Sequence, residues 1–149
     1  MEIDQHHERA EQILEMVLTP EYQNLPWSYG IAKYGNQYYV LGWAAHLPGY
    51  SKAPEGRSFA EMLNLLEALA PFTCIRKSQW FQSSMKHLEK FRTEEGTYSF
   101  PETCLPEQKK GYWIRGEFMA FDERKTVNNA MVVESTFRVL SIRKRAGLL

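Results

Sequence analysis

The sequence predicts a single α+β domain over residues 1–149: a mostly antiparallel sheet built from two hairpins, with about three helices packed on one face. Three observations predict it. Alternating segments flank the dipeptide Gly35-Asn36, two longer alternating segments close the chain, and three other segments repeat apolar residues at three- and four-residue steps.

The first of these periodic segments covers 4–18, where Ile3, His7, Ala10, Ile13, Leu14, Val17 and Leu18 share one face and glutamates take the other. Thr19-Pro20 stops it, because proline disfavours helical geometry in the residue before it. The first hairpin follows, 27-WSYGIAKY-34 against 37-QYYVLGWA-44, joined by a two-residue turn of the kind that requires positive φ. Pairing around that turn sets Ser28, Gly30, Ala32 and Tyr34 opposite Trp43, Leu41, Tyr39 and Gln37, small residues against large ones.

A loop, 45-AHLPGYSKAPEGR-57, carries two prolines and two glycines. Ser58 opens the next predicted helix and Glu61 completes an S-x-x-E capping box, with Phe59, Met62, Leu63, Leu66 and Leu69 as the buried stripe before Pro71. The apolar run 72-FTCI-75 is expected as a short strand, and 77–93 as a helix that buries Trp80, Phe81, Ser84, Leu88 and Phe91. A loop-rich stretch follows, with a short strand expected at Tyr98–Phe100. Two long strands, 111–121 and 130–143, then close the chain around 122-DERKTVNN-129.

Composition excludes some functions and leaves others open. Hydrophobic residues make up 44% and charged residues 24%, which is ordinary for a folded domain and argues against disorder. The 18 basic residues balance the 18 acidic ones, so the surface as a whole is no receptor for nucleic acid or anionic membrane. The balance hides a gradient. Residues 1–24 hold six acidic residues and one basic residue, a net of −5, and residues 123–149 hold six basic and two acidic, a net of +4. An acidic helix beside a basic strand end accounts for this, and so does association between chains. Cys74 and Cys104 form no C-x-x-C pattern, and the acidic and polar first residues lead us to expect no leader. The sequence holds no apolar run of membrane-spanning length and no N-x-S/T acceptor, so the expected setting is cytoplasmic with both thiols free and buried.

Four candidate sites emerge. If the last two strands pair symmetrically, Glu117 faces Glu134, Arg115 faces Thr136 and Trp113 faces Arg138 on one sheet face. Opposed carboxylates raise one another's pKa, as an acid/base pair requires, and Arg115 with Arg138 would hold an anion; the same alternation also describes a solvated sheet face. The 45–57 loop offers His46, Tyr50, Ser51, Lys52 and Arg57 to an anionic ligand, with Arg57 beside a helix N-terminus. The basic end, Arg143, Lys144 and Arg145, is the candidate contact for nucleic acid. His7 and Glu11 stand four apart on a helix, yet no further metal ligands sit at usable spacing, so no metal or cofactor is expected.

No G-x-S-x-G elbow or catalytic cysteine context is present. The expectation is therefore a non-catalytic binding or assembly protein, acting through protein–protein contacts with a second copy or another chain. The first alternative is an anionic-ligand receptor or enzyme, with its pocket between loop 45–57 and the Arg115/Glu117/Glu134/Arg138 face. The second is nucleic-acid binding through the C-terminal strand and tail.

Overall fold

A computed structural model describes residues 2–105 and 129–149. Helix and strand are mixed, as expected, but helix dominates. In chain order the elements are α1 (Glu2–Val17), α2 (Pro20–Gln23), β1 (Ile31–Tyr34), β2 (Gln37–Val40), α3 (Gly56–Leu69), α4 (Thr73–Lys77), α5 (Gln79–Glu89), a 3₁₀ turn (Glu102–Cys104) and α6 (Ala130–Arg145).

Thr19-Pro20 ends α1 as predicted and also starts α2. The Thr19 hydroxyl accepts from the Tyr22 N–H at 3.2 Å, and Pro20 fills the first helical position, where no N–H is needed. The hairpin has the predicted register, with Ala32 opposite Tyr39 and Tyr34 opposite Gln37, and pairing is found again at Ser28 and Trp43. Gly35 supplies the positive φ of the turn, at 60°. These two strands form the whole of the sheet among the described residues.

Helix α3 begins two residues earlier than its serine suggested. Glu55 is the N-cap, and Ser58 stands at the third helical position, where its hydroxyl accepts from the Glu55 N–H at 3.1 Å. The buried stripe of Phe59, Met62, Leu63 and Leu66 is the predicted one, and Leu69 is half-buried.

Three strand expectations are corrected. Residues 73–77 are helix α4, because the Glu11 carboxylate reaches across from α1 and accepts from the N–H groups of Thr73 at 2.6 Å and Cys74 at 2.9 Å. A four-residue apolar run carries no period that distinguishes helix from strand, and this distant cap decides it. Tyr98 meets Arg92 in an isolated bridge, while the Tyr98 and Phe100 N–H groups donate to the hydroxyls of Thr136 and Ser135 instead of to a neighbouring strand.

The third correction is the largest, since 130–143 lies within helix α6. Glu134, Ser135, Arg138, Val139, Ile142 and Ala146 are buried, and their spacing is helical, while Val133 and Phe137 are exposed. The facing of Glu134, Thr136 and Arg138 across a sheet is thereby removed. Its other half, the strand 111–121 with Trp113, Arg115 and Glu117, lies outside the described residues.

The core is helix on helix, with α3 against α6, α1 against α4 and α4 against α5 as the principal pairs. At its centre Phe59, Phe91 and Phe100 meet edge-to-face, with centroids 4.9–5.5 Å apart. Glu67 on α3 ties α6 in place. It accepts from the Ser141 hydroxyl at 2.7 Å and lies 3.7 Å from Arg138 and 3.6 Å from Arg145.

Candidate functional site

The 45–57 loop is held from both sides by side chains bonded to backbone. Gln23, at the end of α2, donates to Val17 O at 2.8 Å and to Ala45 O at 3.4 Å, and accepts from the Leu47 N–H at 2.8 Å. The Tyr22 hydroxyl accepts from the Ala45 N–H, and the Tyr50 hydroxyl donates to Leu18 O at 2.9 Å. From the far side Trp80 of α5 donates its indole N–H to Pro48 O at 2.8 Å. Gly49 allows the sharpest approach. Its φ is +85°, and an added Cβ would stand 3.3 Å from Met62 Sδ and 3.4 Å from Pro54.

Between this loop and α5 lies a cavity of about 580 Å³, within the range of small-molecule sites. Leu18, Pro20, Pro54 and Trp80 give it an apolar wall, and Ser51, Ser83 and Ser84 supply hydroxyls. Lys52, Lys86, His87 and Lys90 supply its ionisable groups, and no described residue of its lining is acidic. Arg92, Arg138, Arg143 and Arg145 all pair with carboxylates, whereas the three lysines pair with none among the described residues. Ser84 is 3% exposed, and its Oγ finds no hydrogen-bond partner among the described residues. Burial, and then the neighbouring Lys90 charge, push the His87 pKa down and favour the neutral ring, which packs near Phe59 and Phe91.

Of the loop residues singled out by sequence, Tyr50, Ser51 and Lys52 line this cavity. His46 and Arg57 do not: His46 Nε2 donates to Leu25 O at 3.0 Å, and Arg57 stands exposed in the first turn of α3. Glu134 and Arg138 are brought together, 3.7 Å apart, but inside the α3–α6 contact and away from the loop. There burial pushes the Arg138 pKa down while the Glu134 and Glu67 carboxylates oppose that shift. The expected cavity between the loop and these residues is replaced by one whose second wall is α5. Sequence reasoning missed Ser83, Lys86, His87 and Lys90 as a site, although their i, i+3, i+4, i+7 spacing puts a serine and three residues of basic type on one helical face. Lys86 and His87 also suit the negative end of the α5 dipole.

The remaining candidates carry less. Arg143 pairs with Glu89 and Arg145 with Glu67, so two of the three cations proposed for nucleic acid are engaged within the chain. The same pairs show that the basic end is balanced by α5 and α3, with the acidic α1 supplying the cap of α4 instead. Cys104 is buried and Cys74 half-buried, both as free thiols. Burial first, then the hydrogen bond and charge of Glu11, push the Cys74 pKa up to about 12, which keeps that thiol protonated.

Among the described residues no three His, Cys, Asp or Glu side chains gather as a metal would need, and no helix is long and apolar enough to cross a membrane. Comparison with known proteins finds no matching family model, curated protein or solved structure.

The second surface of note is the hairpin. Trp27, Ile31, Tyr34, Tyr38, Val40 and Trp43 are each between 55% and 81% exposed. Trp27 and Trp43 pack against each other at 5.9 Å, and Lys33 lies over the Tyr38 ring at 5.5 Å, so these rings keep company only within the hairpin among the described residues.

Proposed function

We propose that the protein is a non-catalytic assembly module, a single domain of a reducing cytoplasm, whose hairpin docks onto the hairpin of a second copy. The supporting observation is the exposure of that run of large residues on both faces of the two strands. Monomeric proteins seldom leave a contiguous apolar patch of this kind, and tyrosine with tryptophan is the composition of binding surfaces. Two free thiols fit the compartment.

Three features favour a second copy as the partner. A two-stranded hairpin is marginal alone, and a third and fourth strand would stabilise it. β2, 37-QYYV-40, carries neither charge nor proline, the usual devices that keep sheet edges apart. Between Trp27 and Trp43 the single charged residue is Lys33, so two copies meet without like-charge conflict along β2.

Size-exclusion chromatography with light scattering tests this reading. The expected result is a concentration-dependent dimer that Tyr38→Lys with Val40→Lys converts to monomer, leaving helical circular dichroism unchanged. A wild-type protein that stays monomeric at high micromolar concentration and low salt refutes it.

A further inference from the structure

We propose that the cavity between loop 45–57 and α5 is a site for a small organic phosphate monoester, independent of the hairpin. Lys52, Lys86 and Lys90 meet the phosphate, the Ser84 hydroxyl donates to one of its oxygens, and the apolar wall holds the organic body.

The charge set selects an anion. Three lysines line one cavity with no described carboxylate in its lining. Lys86 in α5 stands four residues before Lys90, the C-cap of that helix, a spacing at which like charges repel. A dianion placed between them converts that repulsion into attraction. Lysine meets phosphate as a compact point charge, and the cavity's described cations are lysines, with no arginine among its lining.

Ser84 is the second and independent observation. A helical serine commonly satisfies itself on a carbonyl one turn back, as Ser83 does on Trp80 O at 3.1 Å. Ser84, in the cavity wall and 3% exposed, makes no such bond. A buried hydroxyl left unmatched is destabilising, and an acceptor on a ligand removes that cost.

Size and wall select the rest of the molecule. A volume of about 580 Å³ exceeds what inorganic phosphate fills, and Leu18, Pro20, Pro54 and Trp80 offer apolar contact on the remaining side. The loop is already fastened by Gln23, Tyr50 and Trp80, so little ordering opposes binding.

Calorimetric titration with phenyl phosphate, and with phenol and inorganic phosphate as separate arms, tests the site. Phenyl phosphate is expected to bind more tightly than either fragment. Lys86→Gln with Lys90→Gln is expected to raise its Kd about tenfold, the effect of losing charge-assisted contacts. Ser84→Ala is expected to weaken binding about threefold or more. Its melting temperature should be unchanged or higher, because the removed oxygen has no partner among the described residues. Phenyl phosphate binding no tighter than phenol, or equally tight to the double lysine variant, overturns the proposal. Full affinity in Ser84→Ala overturns the assignment of the serine.

Discussion

Glu11 shows how much one side chain decides. It stands on α1, yet its carboxylate accepts from two N–H groups at the start of α4, where unpaired donors and the positive end of the helix dipole concentrate. Burial pushes its pKa up, but the hydrogen bonds from Cys74 and Thr73 outweigh it, and the net position is below the usual glutamate value of 4.5. A carboxyl whose folded pKa is depressed stabilises the fold above its unfolded pKa, and that contribution fades as pH falls through the folded value. Glu11→Gln should therefore destabilise the protein by about 1 kcal/mol at neutral pH. Denaturant unfolding should show the gap between wild type and variant closing as pH drops below about 4.5. A gap that persists unchanged at pH 3 would mean that Glu11 acts by packing alone.

At the scale of elements, legibility in the sequence follows the distance over which the deciding interaction acts. The register of the hairpin is legible to the residue because Gly35-Asn36 and the alternation around it are local, although the continuous strands are half the predicted length, Ile31–Tyr34 and Gln37–Val40. Helices α3 and α5 are legible because their apolar stripes are carried within a dozen residues or so. Helix α1 is legible as a helix but not in its buried face, since Ile13 is exposed and Glu11 turns toward α4. Helix α6 is not, since its buried face includes Glu134, Ser135 and Arg138 while Val133 and Phe137 face outward, so hydrophobicity alone presents a false two-residue period. Those polar residues are buried because of partners elsewhere in the chain. Ser135 serves the Phe100 N–H, and Arg138 pairs with Glu67. The cavity is half legible for the same reason. The loop announces itself by its prolines and glycines, but its partner wall, α5, is set by bonds such as Trp80 to Pro48 that span 32 residues. Gln23 tests that view of the loop. Three of its bonds converge on segments otherwise far apart along the chain, so Gln23→Ala should release the loop and spare the helical core. Hydrogen exchange at the Leu47 N–H, which donates to Gln23 Oε1, should quicken about tenfold, with α3 amides unaffected. Gln23→Glu keeps that acceptor and should keep the Leu47 protection. Equal protection in Gln23→Ala and wild type would show that the loop is held by other means.

At the scale of the whole molecule, the two proposed surfaces lie on parts of very different dependence. The cavity is walled by α5 and by a loop fastened to the helical body, none of it contributed by the hairpin strands. The hairpin faces outward along nearly all its length, and the principal packing among the helices does not involve it. Its ends already lie together, because the Ala44 N–H donates to Trp27 O at 3.1 Å. Replacing residues 28–43 by a short Gly-Ser link therefore closes the chain without moving the helices. The excised protein should keep its helical circular dichroism and a single cooperative melt, retain phenyl phosphate binding, and run as a monomer in light scattering. Loss of cooperative unfolding would show that the hairpin is part of the folding unit. A dimer surviving the excision would place the self-association surface elsewhere. The expected combination, a folded and ligand-competent monomer, separates assembly from binding in one variant, since removing exposed apolar rings costs little of the buried area on which the fold depends.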